Sequence, residues 1–457
     1  MKTTPEERGK TGIFITPEGK SVGITFALVS SLFLLWGFCN GMIDTMDKHF
    51  QDALHLTLSQ SANVQWAHYL GYFLMALPAG WLATKMGYKG GIITGLLMVA
   101  AGGFWFIPAT HIDQFWAFLV GVCLIAAGLT FLETIANPYT TVLGSTKYAA
   151  TRINLAQSCN GIGWILGPIA GSLFFYGKDA SGTNTGSQTL WIPYAGVAAL
   201  VIVLAVIFFF AEVPDIKAED DYELDDGIDA AESAGSKSIW AHPHFVMGVA
   251  AQFFYVAAQS GIFAFFINYM TKETPGIGDS MKSMLRPNWT EIDSAGVCHF
   301  SNAFASILAS IGFGFFLIGR FTGAALLRNT PAHRLLAFYG LMNIIMCGVI
   351  VCRLGWISVA AVFMSYFFMS IMFPTVFALG IFGLGIRSKK ASSFIVMAIM
   401  GGAILPKLMG WIADKHGMAA GYLVPLGCFA VVTAYAMMWP KLSGFASLGS
   451  QPASAGH

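Results

Sequence analysis

FWAFLVGVCLIAAGLTFLETIANPYTTVLG, residues 115–144, contains one charged side chain, Glu133. Every other residue between Asp113 and Lys147 is uncharged. At about 1.5 Å of rise per residue, a helix through this stretch puts Glu133 roughly 30 Å from Asp113 and roughly 20 Å from Lys147. The hydrocarbon core of a bilayer is about 30 Å thick, so no placement of that helix brings Glu133 easily to water. An ionisable group at such depth is costly and marks function by default. The stretch therefore reads as a membrane span carrying a transport site, not as a passive anchor.

The rest of the chain has the same character. Of 457 residues, 56% are hydrophobic and 11% charged, against about 25% charged in a soluble domain. Long apolar runs recur along the whole length and predict a polytopic, all-α membrane protein. The strands of a membrane β-barrel would instead alternate in short segments. A formal net charge of +1 gives no reason to expect nucleic acid. The seven cysteines form no CxxC pair and fall mostly in apolar runs. They read as small core residues, with no metal or disulfide role expected. The first apolar run is too long for the core of a cleavable signal and is taken as the first span.

Twelve spans are expected, at about 22–50, 59–83, 89–108, 114–142, 150–176, 189–211, 243–270, 300–327, 333–352, 355–384, 391–413 and 419–439. Lys85, Lys89, Lys147, Arg152, Arg334 and Lys389 all fall on one set of loops, which predicts cytoplasmic termini. Three echoes relate the halves: GWLATKMGYKGG at Gly80 and GRFTGAALLRNTPAHR at Gly319, ANPYTTVLG at Ala136 and MFPTVFALG at Met372, GWILGP ending at Pro168 and GAILP ending at Pro406. Their offsets are 239, 236 and 238 residues, the mark of a duplicated six-span unit. Two parallel six-helix pseudo-repeat halves with a long central loop describe the major facilitator fold, whose site lies between the halves near the midplane. The expected division is 1–211 for the N-terminal half, 212–242 for an acidic cytoplasmic linker, 243–440 for the C-terminal half and 441–457 for a cytoplasmic tail.

Polar residues inside the spans are the site candidates. Asn154, Gln157 and Asn160 recur every three residues on one helix face. Such amides either bond neighbouring helices or line a polar cavity, where they match the paired donors and acceptors of sugar hydroxyls. Gly161 and Gly163 beside them suit close helix packing. Gln252, Tyr255 and Gln259 share a face of the seventh span, with the same two readings. Asp44 closes the run FLLWGFCNGMID. It marks an outer helix end, or, if the helix continues through His49 and Phe50, it is buried with Asn40 one turn before it. In the eleventh span SSFIVMAIMGG replaces the amide stripe, so Phe254, Phe263 and Tyr366 are expected to give the C-terminal half an apolar, aromatic surface. Lys407 either snorkels to the interface or pairs with Asp414, or else modulates the cavity, and His68 is a second candidate modulator.

WGFCNGMID, YFLMALPAGWLATKMGYKGGI, AAGLTFLETIANPYTTVLG, RINLAQSCNGIG, AQFFYVAAQSG and ASSFIVMAIMGGAILP together resemble the fucose:proton symporter family of the major facilitator superfamily, which includes glucose/galactose and N-acetylglucosamine transporters. The resemblance covers nearly every span. It implies that Asp44 and Glu133 serve proton coupling and sugar binding, and that Gln157 and Asn160 contact the sugar. The chain departs from the fucose permease in having NGMID around Asp44, His68 where that permease has an aromatic residue, and Lys407.

The expected function is import of a monosaccharide by proton symport with alternating access. Protonation of Glu133 would remove a buried charge and let it donate to a sugar hydroxyl. No cofactor is expected beyond the coupling proton, no metal and no catalytic residue: no HExxH or GxSxG site lies in a membrane-facing position. The expected setting is a bacterial inner membrane, with the lipid bilayer and a small-molecule sugar as partners and a monomer as the working form. Sodium-coupled or uncoupled transport is one alternative, and a non-transporting sugar receptor on the same scaffold is another.

Overall fold

The computed structural model describes residues 13–15, 21–112, 114–143, 149–176, 189–211, 238–292, 296–327, 330–382, 384 and 388–444. The N-terminal part contains α1 (Gly23–Ala53), the single turn α2 (Leu58–Ser61), α3 (Asn63–Ile112), α4 (Phe115–Val142), α5 (Ala149–Phe174) and α6 (Trp191–Phe210). The C-terminal part begins with α7 (Pro243–Ala264) and α8 (Phe266–Lys272). A small antiparallel hairpin follows, β1 (Thr290–Ile292) with β2 (Cys298–Phe300), pairing Glu291 with His299. Then come α9 (Asn302–Leu326), α10 (Ala332–Val351), α11 (Trp356–Met369), α12 (Met372–Ile381), α13 (Ser388–Met397), α14 (Gly401–His416) and α15 (Leu423–Leu442).

Among the described residues, ten helical segments are long and apolar enough to cross a membrane. They coincide with ten of the twelve expected spans. The other two, 59–83 and 150–176, are helical as the first part of α3 and as α5. These two carry Gln65 and His68, and the Asn154–Gln157–Asn160 stripe, which dilute their apolar character. Spans two and three run together as α3, broken at Gly87, whose positive φ of 70° suits glycine.

The chain divides into two compact units, Met1–Ile43 with Leu70–Leu224, and Asp44–Tyr69 with Asp225–His457. The segment Asp44–Tyr69 thus groups with the C-terminal part, which the division at 211 and 243 does not anticipate. The cause is local. The Asp414 carboxylate accepts from the backbone N–H groups of Leu58 (2.8 Å) and Ser59 (3.0 Å), at the start of α2. Asp52 accepts from Asn302 (2.6 Å) and pairs with Lys48 (2.6 Å). Of the expected linker, 212–237 lies outside the described residues. Its end does not float: Ile239 packs with Phe245, Leu384, Ala391 and Ile395. Of the tail, 445–457 lies outside the described residues.

Very close helix crossings occur in both units, and one of them recurs in each. In the first, α1 meets α5: a Cβ on Gly163 would collide with the Leu34 carbonyl, and one on Gly37 with the Asn160 carbonyl. In the second, α7 meets the start of α14: a Cβ on Gly401 would collide with the Phe253 carbonyl. Gly163 and Gly401 are 238 residues apart, and Leu34 and Phe253 are 219 apart. The same crossing is built twice, and small residues let the backbones approach in both.

Proline shapes the second unit further. Pro374 lies in the first turn of α12, and Pro406 lies inside α14. A proline has no N–H for the carbonyl four residues before it. For Pro406 that carbonyl belongs to Gly402. Two hydroxyls from α7 meet the carbonyls near these prolines: Tyr255 donates to Met369 (2.9 Å) and Ser260 lies 3.2 Å from the Gly402 oxygen.

Candidate functional site

The first unit holds Glu133 on α4. It is half-buried and accepts a hydrogen bond from the Tyr72 hydroxyl. Tyr72 in turn accepts from the Trp36 indole N–H (2.7 Å). A chain of donors, Trp36 to Tyr72 to Glu133, therefore fixes the carboxylate while leaving part of it accessible. Asn160 is buried, and its amide donates to the Phe33 carbonyl (3.3 Å), so part of the stripe ties α5 to α1. Gln157 on the same face is half-buried. The Asn154 side chain lies outside the described residues. Asn40 is 7% exposed, and its carbonyl oxygen has no hydrogen-bond partner among the described residues.

The second unit holds Asp44. Because α1 runs on to Ala53, Asp44 lies inside the helix and is 8% exposed, which settles the two sequence readings. Asp47 (0%) and Lys48 (4%) are buried beyond it. Asp44 Oδ1 accepts from the Gln65 amide (2.8 Å), while Oδ2 is buried without a partner among the described residues. The Gln65 oxygen lies 3.2 Å from the Ser260 hydroxyl, which also faces Gly402. A chain of polar groups thus runs from α1 through α3 and α7 to α14.

Several candidates are placed otherwise than the sequence suggests. The Tyr255 hydroxyl is committed to Met369 and is 0% exposed, so it braces helices rather than facing a ligand. Lys407 is exposed and donates to Asn63 (3.2 Å). It does not pair with Asp414, which lies two turns along the helix and is occupied at α2. Phe263 and Tyr366 pack together, ring centroids 4.7 Å apart, with Phe313 edge-on to both. They form aromatic core; Phe254 stays half-buried. Gln252 is fully buried with neither amide atom partnered among the described residues, whereas Gln259 is half-buried. His68 is buried edge-on to Tyr69.

Sequence reading missed Gln65, Tyr72, Trp36 and Ser260. A signal existed for two of them: Gln65, His68 and Tyr72 fall at i, i+3 and i+7, one stripe of a helix.

Two carboxylates set in membrane-spanning helices, each held by neutral donors on a duplicated helical scaffold, define a membrane transporter. The model of the Major Facilitator Superfamily matches residues 22–381. The L-fucose-proton symporter of Escherichia coli is 34% identical, over 92% of this chain and 94% of its own. The glucose/galactose transporter of Brucella abortus is 31% identical, over 93% of this chain and 96% of its own. Among solved structures, the Escherichia coli fucose:proton symporter FucP in the outward conformation superposes with a TM-score of 0.63, covering 91% of this chain and 99% of that one. A D-xylose-proton symporter at 11% identity shares the fold, with a TM-score of 0.68. The chain belongs to the major facilitator superfamily and, within it, to the fucose:proton symporter family.

Proposed function

We propose that the protein imports a monosaccharide together with protons, by alternating access, across a bacterial inner membrane with both termini in the cytoplasm. Asp44 carries this reading. Its carboxylate is buried in a span, one oxygen is met only by a neutral amide, and no Lys or Arg pairs with it among the described residues. A buried charge without a counter-ion is costly, and a proton neutralises it most simply. Glu133 is the second protonatable group, placed by Tyr72 where an accessible oxygen can meet a sugar hydroxyl. Asn40, Gln157, Asn160 and Gln259 orient the sugar. The relatives' names support a hexose or 6-deoxyhexose as substrate. The protein works as a monomer, without cofactor or metal and without catalysing a covalent reaction.

The test is uptake into proteoliposomes of L-fucose, D-glucose and D-galactose, each under an imposed proton gradient and under an imposed sodium gradient. Accumulation that follows the proton gradient and collapses with a protonophore supports the reading. Accumulation that follows only sodium contradicts the coupling ion, and binding without flux contradicts transport.

A further inference from the structure

We infer that Gln65 is a positioning residue that reads the protonation of Asp44 and passes it to Ser260 and the Gly402 carbonyl, linking the charge on α1 to the packing of α7 on α14. This rests on the reading of Asp44 as a protonatable coupling group.

The geometry requires few parts. Gln65 has one amide donor face and one acceptor face, interchangeable by a half-turn of the amide. With Asp44 ionised, Nε2–H points at Oδ1 (2.8 Å) and the amide oxygen is left facing Ser260 (3.2 Å). Ser260 has one hydroxyl proton and two acceptors at equal distance, the Gln65 oxygen and the Gly402 oxygen, both 3.2 Å away. Gly402 needs that proton, because Pro406 removes its helical donor. One acceptor is therefore short of a donor while Asp44 is ionised.

Adding a proton to Asp44 resolves the shortage. The acid O–H donates to the Gln65 oxygen once the amide turns over. Nε2–H then donates to the Ser260 oxygen, and Ser260 donates to Gly402 without competition. The chain goes from two hydrogen bonds to three, and no atom besides the proton is added. Protonation thus tightens the contact among α3, α7 and α14. Among the described residues, the titratable groups that interact with Asp44 are Asp47 on α1 and Tyr366 on α11. Neither takes part in the chain.

The two ends of the relay make opposite predictions. Gln65→Leu strips the ionised carboxylate of its donor, and an unmet buried charge costs more than an unmet neutral acid. Ser260→Ala removes two bonds from the protonated arrangement and one from the ionised arrangement. The experiment is an infrared pH titration of the protonated carboxyl band in proteoliposomes, with the Asp44 component identified by its loss in Asp44→Asn. The expected result is a midpoint about one pH unit higher in Gln65→Leu and up to about one unit lower in Ser260→Ala. In the double variant the Ser260 change adds nothing, because the link is already cut. A titration of Asp44 that Gln65→Leu leaves unmoved, or shifts of the same sign in both variants, overturns the inference. If these shifts occur but Asp44→Asn still accumulates sugar normally, the relay stands and the coupling role of Asp44 falls.

Discussion

The crossings of α1 on α5 and of α7 on α14 are one piece of architecture with two polar fillings. Trp164 and Gly402 are 238 residues apart, and both are robbed of a helical donor by a proline four residues later, Pro168 and Pro406. Gly41 and Ser260, 219 apart, are the residues that meet them. In the first unit Gly41 is pressed against the Trp164 carbonyl, where a Cβ would come within 2.9 Å. In the second unit a serine hydroxyl faces the freed carbonyl and hands a hydrogen bond onward to Gln65 and Asp44. The shared backbone geometry sets the scaffold. The difference in side chain decides which half carries a relay. The carboxylates differ likewise: Glu133 is half-open and held by a Tyr–Trp chain, whereas Asp44 is enclosed and held by an amide.

The strongest test of the shared crossing is to obstruct it in each half. Gly163→Leu and Gly401→Leu should each destabilise by about 3 kcal/mol or more, since neither backbone can retreat from a new side chain. Thermal unfolding in detergent measures this, and a loss in only one variant would break the equivalence of the two units. Tyr255→Phe should cost about 1 kcal/mol through the orphaned Met369 carbonyl, with little change in sugar KM. A large KM increase at unchanged stability would return Tyr255 to the sugar site. Asp414→Ala removes the acceptor of the Leu58 and Ser59 N–H groups at the start of α2 and should cost about 1 kcal/mol in the same assay. Lys407→Gln, at an exposed amide contact, should stay within about 0.5 kcal/mol of the parent.

Much of this was legible in the sequence. The depth of Glu133, the duplicated echoes and the run of apolar spans give the fold, because membrane helices are specified by composition and length. Gly163 reads correctly as a close-packing residue. What was not legible depends on where chains meet. Spacing alone leaves Asp44 as helix end or buried carboxylate, since Asp47 and Lys48 resemble an interfacial cluster until α1 is seen to continue to Ala53. Tyr255 shares a helix face with Gln252, but which hydroxyl serves a carbonyl depends on the break between α11 and α12. Lys407 and Asp414 are two turns apart in sequence, yet each finds its partner in Asp44–Tyr69, a segment more than three hundred residues away. Ser260 looks ordinary until Pro406 leaves the Gly402 carbonyl beside it.

The central claim is that protons drive sugar uptake through two membrane-embedded carboxylates. It is tested most directly by sugar accumulation in proteoliposomes under an inward proton gradient, comparing the parent with Glu133→Gln and Asp44→Asn at several external pH values. The account predicts pH-dependent accumulation in the parent and none above equilibration in either variant. Concentrative uptake with an unaltered pH profile in Glu133→Gln or Asp44→Asn would contradict it.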